Sequence, residues 1–248
     1  MSAPALVLLG YGSRDARATG VVDAYAARLR ARRPDLPVSA AYLAHSSPTL
    51  DVVVAGLAAA GHDEVVVVPL LLTGGRHASR DVPAAVDAAR SAAPGIRVTT
   101  APRLGLRPTW LSVLDERVRD SLRVARVAEL DALVLACAGS ADHRVTAAVA
   151  RLGRLWSQQH RLPVLTAYAA VAPPSPGEAV RQLRAEGRRA VAVGSFFLAP
   201  GVMSDRSAEL SLEAGAVAVS APLGVHEALV EQLLHRYQVA ALGALTLA

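Results

Sequence analysis

Short apolar runs alternate with alanine-, leucine- and arginine-rich stretches along the whole chain, a pattern typical of parallel βαβ units. Strands are predicted where apolar residues are continuous: LVLLG at 6–10, VSAAYL at 38–43, EVVVVPLLL at 64–72 and RVTTA at 97–101. A helix is predicted after each strand, near 16–32, 49–60, 83–92 and 108–123. Because the strands are apolar on both faces, we expect helices to cover both sides of a parallel sheet.

The second half of the chain repeats this scheme at an offset of about 126 residues. LVLLGYGSRD at 6–15 aligns without a gap with LVLACAGSAD at 133–142, and LPVSAAY at 36–42 aligns with LPVLTAY at 162–168. A repeat of this length indicates duplicated domains. We expect an α/β protein with two similar doubly wound parallel-sheet domains, 1–124 and 131–248, that face each other across a central cleft. Ligands of such sheets bind beyond the carboxyl ends of the strands.

Composition agrees with an ordinary globular protein. The chain has 248 residues, of which 52% are hydrophobic, so it can bury a large core. Cys137 is the only cysteine, which excludes an intrachain disulfide and gives no sign of an oxidising compartment. The first apolar run follows no basic segment and has the length of a buried strand, so neither a signal peptide nor a membrane helix is predicted. We therefore expect a cytoplasmic protein.

The charge pattern favours a small anionic ligand over a nucleic acid. The net charge is +5, and every basic residue is an arginine. These arginines are spread along predicted helices, and aromatic residues make up only 4% of the chain, so surfaces for base stacking are scarce. Arginine pairs carboxylates in a bidentate fashion, so an anionic small molecule suits the excess charge.

The loop GYGSRD after the first predicted strand offers candidate chemistry. Its Gly10 and Gly12 suggest a dinucleotide fingerprint, but Asp15 stands where the third glycine is needed. The next strand also ends without an acidic residue for a ribose. Gly12 suits a sharp turn, and Ser13 and Asp15 are expected to cap the following helix. Those roles leave Tyr11 unexplained, since an aromatic residue neither caps a helix nor forms a turn.

A second candidate loop, LLLTGGRHASRDVP at 70–83, follows the third predicted strand. Its two glycines let the backbone approach a ligand closely, and charged or titratable side chains crowd into the residues after them: Arg76, His77, Arg80 and Asp81. Pro83 is expected to begin the next helix. A single histidine in such a loop is more often a solvated polar residue than a functional one, so the loop alone does not assign a function to His77.

Four motifs together resemble the CbiX type of sirohydrochlorin chelatase, a class II chelatase: GSRDARA at 12–18, SPTL at 47–50, GGRHASRDVP at 74–83 and PRLG at 102–105. The resemblance covers essentially the whole chain. The first half carries the motifs best, and the second half resembles the degenerate partner in the long, two-domain form of the family.

The resemblance implies an enzyme, a metal chelatase of the lyase class. Such an enzyme inserts Fe²⁺ or Co²⁺ into sirohydrochlorin, a reduced tetrapyrrole with eight carboxylates, on the route to sirohaem or cobalamin. It needs no cofactor beyond the divalent metal substrate. The reaction removes two pyrrole protons and delivers a partly desolvated metal, and neutral imidazoles suit both tasks. The implied partners are a tetrapyrrole and a divalent metal, with no nucleic acid and no membrane.

Typical CbiX proteins read HGS in the first loop, carry a Glu after the second strand and hold a second His in the third loop. The corresponding residues in this chain are Tyr11, Ala44 and His77, so one of three is kept. The resemblance makes His77 the main metal-binding and proton-handling residue, with Tyr11 as an auxiliary ligand or a macrocycle contact. His45 replaces the missing carboxylate if the chain turns at the end of the strand. If the strand continues, His45 faces away from the site.

Their positions in the two candidate loops make five residues of the first half candidates for substrate binding: Ser13, Arg14, Gly75, Arg76 and Arg80. In the second half, the positions of the three family residues hold Ala138, Ala170 and Met203, which cannot replace what the first half lacks.

Two alternatives to a working chelatase stay open. In the first, the chain is a non-catalytic paralogue that binds a tetrapyrrole or a metal. In the second, it is an altered enzyme that uses the same cleft on another substrate. The replaced His and Glu favour these alternatives, whereas the intact GGRHASRD loop favours the enzyme. The sequence leaves the choice of metal and the oligomeric state open.

Overall fold

Two four-stranded parallel sheets form the fold of this computed structural model, which describes residues 3–75 and 77–245, with all side chains among them except those of His77, Ala244 and Leu245. The strands are β1 Ala5–Gly10, β2 Val38–Tyr42, β3 Glu64–Pro69, β4 Arg97–Thr100, β5 Ala132–Cys137, β6 Val164–Tyr168, β7 Val191–Ser195 and β8 Ala218–Val219. The sheet orders are β2-β1-β3-β4 and β6-β5-β7-β8. The prediction of an α/β protein with two similar parallel sheets is confirmed.

Helices follow the strands in the predicted alternation: α1 Ala16–Arg32, α2 Leu50–Ala59, α3 Val82–Ala92, α4 Trp110–Ala125, α5 His143–His160, α6 Pro176–Ala185, α7 Val202–Glu213 and α8 Glu227–Leu245. A π-helical turn, His77–Asp81, precedes α3. Within the described ranges, no helix has the length and apolar character that crossing a membrane requires.

Strand pairing shows the duplication residue by residue. Leu8 in β1 pairs with Ala40 in β2 and with Val68 in β3. Its counterpart in the second sheet, Leu135 of β5, pairs with Thr166 and Gly194 at the equivalent positions. Every residue of β1 and β5 is buried, because each of these central strands has a neighbour on both edges and helices on both faces.

The chain divides into two compact units, 1–105 with 225–248 and 106–224. This division differs from the predicted domains 1–124 and 131–248, because the last helix of each sequence repeat packs on the sheet of the other repeat. Helix α4 lies against β7 and β8, and α8 lies against β3 and β4. The side chain of Leu114 in α4 covers Gly194 in β7, so closely that a Cβ on that glycine would lie 2.9 Å from Leu114.

The single thiol belongs to the core of the second unit. Cys137 ends β5 with only 4% of its surface exposed, and its S–H donates to the Ala167 carbonyl at 3.6 Å. Burial raises the pKa of the Cys137 thiol to about 12, since the low-dielectric interior disfavours the thiolate. Cys137 is therefore a buried core thiol and a poor nucleophile.

One buried carboxylate joins two helices of the second unit. Asp115 of α4 is 6% exposed. Its Oδ1 accepts the indole N–H of Trp156 at 2.7 Å, and its Oδ2 accepts an amide N–H of Gln159 at 2.8 Å. The Nε2 atom of His160 lies 2.8 Å from the same Oδ1. All three partners lie on α5, so this carboxylate fixes the end of α5 against α4.

We expect Asp115→Ala to lower the free energy of unfolding by about 2 kcal/mol, because the buried indole N–H of Trp156 is left without an acceptor, which costs about 1–3 kcal/mol. Urea unfolding followed by tryptophan fluorescence measures the loss. Asp120→Ala, on the exposed face of the same helix, serves as the control and should change stability by about 0.5 kcal/mol or less. Equal effects of the two substitutions would contradict this role for Asp115.

Candidate functional site

Three loops lie side by side at the carboxyl edge of the first sheet. They are the β1 loop at 11–15, the β2 loop at 43–49 and the β3 loop at 70–81. Because β1 lies between β2 and β3 and all three strands run parallel, their carboxyl ends share one edge. Tyr11, His45 and His77 thus belong to adjacent loops, as the sequence motifs predict.

A glycine gives the β1 loop its shape. Gly12 has φ +92°, and a Cβ at this position would lie 1.8 Å from the Ala44 carbonyl oxygen. No other residue fits there. Asp15 then caps α1, as predicted, by accepting the Arg17 N–H at 2.9 Å. Hydrogen bonds from Arg17 lower the pKa of the Asp15 carboxyl, so it stays ionised as a cap.

The β1 and β2 loops are tied together beyond the ends of their strands. The Ala44 N–H donates to the Tyr11 carbonyl at 2.9 Å. The Ser46 hydroxyl accepts the Ser13 N–H at 2.9 Å and donates to the Ser13 carbonyl at 2.8 Å. The sequence analysis missed Ser46. The signal available was the contrast with Ala172, the equivalent residue of the second repeat, which has no hydroxyl.

These hydrogen bonds between the β1 and β2 loops bring two candidate metal ligands together. The rings of Tyr11 and His45 meet edge to face, with centroids 6.0 Å apart and planes at 69°. His45 has φ +60°, so the chain turns at this residue and does not continue as a strand. This is the turn that His45 requires to replace the missing carboxylate. Tyr11 is 37% exposed and His45 is also exposed, so both rings can reach a ligand.

The β3 loop takes an unpredicted form. A π-helical turn, His77–Asp81, leads directly into α3, which begins at Val82. Before the turn, Gly75 has φ +63° and its carbonyl accepts the Ser79 hydroxyl at 3.1 Å. π-helical turns are rare and occur often at functional sites. Arg76 and the His77 side chain lie outside what the structure describes, so their roles stay predictions.

Two arginines of these loops have guanidinium groups without a partner among the described residues. Among the described residues, neither Arg14 nor Arg80 has a side-chain hydrogen bond or an ion pair, and both are exposed. Neighbouring arginines behave differently, since Arg17 pairs with Asp15 at 2.6 Å. Arg14 and Arg80 can therefore donate hydrogen bonds to carboxylates of a ligand without breaking contacts of the fold.

A complete metal site is not present in the part of the chain that the structure describes. The described ranges contain no group of three or more His, Cys, Asp or Glu residues that could hold a metal ion. Among the candidate metal ligands from the sequence, the structure describes the side chains of Tyr11 and His45, a phenol and an imidazole. An imidazole suits Fe and Co, and a phenolate oxygen is a hard ligand that suits iron.

The second unit has the same loop geometry without the same chemistry. Gly139 has φ +91°, and a Cβ there would lie 2.0 Å from the Ala170 carbonyl oxygen. Asp142 caps α5 by accepting the Arg144 N–H at 2.9 Å. Ala138, however, stands at the position of Tyr11, so the equivalent edge lacks the phenol.

Two parallel α/β units with these loops define a class II chelatase fold, and solved structures agree. The SirB protein from Bacillus subtilis with Fe³⁺ has a TM-score of 0.79 at 22% identity, over 96% of both chains. The sirohydrochlorin chelatase SirB from Bacillus subtilis subspecies spizizenii, in complex with cobalt, has a TM-score of 0.78 at 20% identity, over 96% of this chain and 95% of that chain.

The family follows from the sequence match. The CbiX family model matches residues 5–121 and 132–240, so the chain belongs to the CbiX family. A sirohydrochlorin cobaltochelatase of Priestia megaterium is 25% identical over 175 residues, which are 70% of this chain and 57% of that protein. The match thus spans somewhat over half the length of that relative. The resemblance seen in the sequence motifs is confirmed.

We expect Ser46→Ala to separate the rings of Tyr11 and His45, because it removes both hydrogen bonds that tie the β2 loop to Ser13. The proton on His45 Cε1 feels the ring current of Tyr11, so its NMR chemical shift should move towards the value found in Tyr11→Leu. The resonance is assigned by its absence in His45→Asn.

Ser47→Ala is the matched control, since no described hydrogen bond involves the Ser47 side chain. The His45 shift should stay at its native value in this variant. If the His45 chemical shift in Ser46→Ala equals the native value, the two rings hold their positions without the hydrogen bonds between Ser46 and Ser13.

Proposed function

We propose that this protein is a sirohydrochlorin chelatase that inserts Fe²⁺ or Co²⁺ into the macrocycle, for the biosynthesis of sirohaem or cobalamin. The observation that carries the proposal is the pairing of Tyr11 and His45 at the carboxyl edge of the first sheet, beside the loop with His77. Membership of the CbiX family and the sirohydrochlorin chelatases among its relatives support the same substrate class.

The reaction exchanges two protons for one metal ion. Two pyrrole N–H bonds break, the four ring nitrogens bind the metal in place of its water and protein ligands, and both protons leave the macrocycle. His77 would hold the incoming metal and accept a proton, since a neutral imidazole can do either near neutral pH. Tyr11 and His45 would hold the metal through the phenol oxygen and an imidazole nitrogen while its water ligands leave.

The substrate carboxylates need cationic partners. Arg14, Arg76 and Arg80 would bind them, because a guanidinium pairs a carboxylate through two parallel hydrogen bonds. The unpaired state of Arg14 and Arg80 supports this role. Ser13 would contribute through its hydroxyl proton, since its backbone N–H and carbonyl both bond to Ser46. Gly75 would contribute through its backbone, since it lies where the chain turns with φ +63°. No cofactor besides the metal substrate enters this scheme, and a cytoplasmic location stays a prediction.

The alternative function is a binding protein that holds a tetrapyrrole or a metal without catalysing insertion. Ala44 favours it, because the position where typical family members carry Glu has no side chain able to accept a proton. A third possibility is an altered enzyme that acts on another substrate.

We expect the purified protein to insert Co²⁺ or Fe²⁺ into sirohydrochlorin anaerobically, faster than a reaction without protein, as followed by the absorption spectrum. His77→Ala should lower the rate about 100-fold or more, because a positioned acid–base group contributes about 10²–10⁴. Tyr11→Phe and His45→Ala should each raise the metal concentration needed for half-maximal rate.

His235→Ala is the control, since His235 is exposed on α8. Binding of sirohydrochlorin by the native protein without insertion would favour the carrier function. The absence of binding would exclude a sirohydrochlorin chelatase and a sirohydrochlorin carrier, and would leave a metal-binding protein or an altered enzyme.

We expect the double variant Arg14→Gln/Arg80→Gln to bind sirohydrochlorin at least about tenfold more weakly, because each charge-assisted hydrogen bond contributes about 1.5–3 kcal/mol. The rate at saturating substrate should change less than the Michaelis constant. Fluorescence titration with metal-free sirohydrochlorin measures the affinity, and the dependence on salt concentration should become weaker. The matched control is Arg123→Gln, whose exposed side chain pairs with Asp120. An intact affinity in the double variant would rule these arginines out.

A further inference from the structure

A groove lies beside helix α5 of the second unit, between this helix and the segment 106–108 that leads into α4. Its volume is about 480 Å³, within the range of about 300–1,000 Å³ that is typical of pockets for small molecules. We call it the α5 groove. All of its described lining residues belong to the second unit. Apart from Arg144 and Arg151, they are apolar: Leu106, Pro108, Ala147, Ala148, Leu152 and Leu155.

The repeat alignment relates the α5 groove to a place in the first unit. A left-handed glycine precedes α4 and α8 alike, Gly105 with φ +77° and Gly224 with φ +61°. Counting from these glycines, Pro108 corresponds to Glu227. Because α5 corresponds to α1, the α5 groove occupies the position at which α1 meets α8 in the first unit.

In the first unit this position holds an ion pair. Glu227 of α8 lies 3.5 Å from Arg28 of α1. In the second unit Leu155 stands at the position of Arg28, so two apolar residues of the groove, Leu155 and Pro108, replace the pair. Arg151 is a further difference, since the corresponding residue of α1 is an alanine. The second repeat has thus lost a carboxylate at this position and gained an apolar wall and a cation.

Both arginines of the α5 groove have donors to spare. Arg144 pairs with Asp142 through Nε and Nη2, and its Nη1 has no partner among the described residues. Arg151 is exposed and forms no hydrogen bond or ion pair within the described ranges. None of the described lining residues is acidic, and the sequence of α5 contains no Asp or Glu. The positive charge of the groove therefore lacks a counter-charge and favours an anion.

The spacing of the two arginines limits the kind of anion. Arg144 and Arg151 are separated by about two turns of α5, or roughly 10.5 Å along the helix axis. Apolar side chains of α5 lie between them and beside them, and Leu155 is 38% exposed. A compact ion such as phosphate would contact one guanidinium and leave the apolar wall bare. An elongated molecule with an anionic group at each end would contact both guanidinium groups and the wall.

We infer that the α5 groove binds a small organic dianion, a molecule with an apolar body and two anionic groups such as carboxylates. Each guanidinium donates hydrogen bonds to one anionic group, and the apolar body removes the wall from water. The inference goes beyond the proposed function and does not depend on it, because the groove uses none of the residues that would handle the metal, the protons or the substrate carboxylates.

The first test is a titration of the full chain with decanedioate, a straight-chain dicarboxylate, followed by amide NMR spectra. Resonances of α5 and Leu106 should shift on binding. Decanoate, which has one carboxylate, should bind at least about tenfold more weakly, because one charge-assisted pair is lost. Equal affinity for the two probes, shifts confined to other elements, or no binding of decanedioate would each overturn the inference.

Arg151→Gln removes the partner of one carboxylate. This variant should bind decanedioate no more tightly than it binds decanoate. The matched control is Arg154→Gln, because Arg154 is also exposed on α5 and without a described partner, but does not line the groove. It should keep the native preference for decanedioate. Equal losses in the two variants would show general attraction to a positive helix and would overturn the inference.

Pro108→Glu restores the carboxylate that Glu227 supplies in the first unit. The fold should tolerate this change, since the first unit has a glutamate at the same point before its helix, and circular dichroism checks it. Decanedioate should bind at least about tenfold more weakly, because the new carboxylate repels the probe and competes for its cations. Native affinity in this variant would place the probe outside the groove and contradict the inference.

Two competition experiments are also decisive. If a helical peptide with two glutamates seven positions apart binds the groove more tightly than decanedioate does, the groove is a docking site for a protein and the inference is overturned. If sirohydrochlorin displaces decanedioate, the groove belongs to the substrate site and the inference is overturned, with the proposed function intact. Binding of decanedioate that sirohydrochlorin leaves unchanged supports the inference, whatever the outcome of the chelatase assay.

Discussion

The structure of the candidate site depends on one close approach between two backbones. The Ala44 carbonyl occupies the space that a side chain on Gly12 would fill, and Gly139 and Ala170 repeat this arrangement in the second unit. The contact sets the spacing of the β1 and β2 loops without involving the side chains at their tips. The tip residues are therefore free to differ between the two repeats, as Tyr11 and Ala138 do, while the loops keep one shape.

Local patterns predicted most of the fold. The strands were identifiable because buried central strands such as β1 are apolar throughout, and the helix starts followed from capping residues such as Asp15. The compact units were not predictable in this way. Helix α4 has the same apolar face, with Trp110 and Leu114 buried, whichever sheet it covers. Only the tertiary structure decides that the sheet of the second repeat receives it.

The site was predicted in part, from motifs, and its missing details depend on backbone conformation. The sequence could not decide whether His45 turns towards Tyr11, because a histidine gives no sign of a left-handed φ as a glycine would. The hydroxyl of Ser46 acts through two hydrogen bonds across 33 residues, and no local pattern contains them. The π-helical turn depends on which backbone N–H and carbonyl groups bond to each other after Gly75, and the composition does not reveal this either.

The exchange of α4 and α8 makes the two repeats dependent on each other for folding. Each sheet is covered by a helix encoded in the opposite half of the gene, as in a domain-swapped dimer whose two chains have become one. A fragment that contained only the first repeat would include α4, which its own sheet does not bind. It would lack α8, so its sheet would be partly uncovered. The second repeat thus cannot be lost without removing α8 from the first sheet, which gives a structural reason why both repeats stay in one chain.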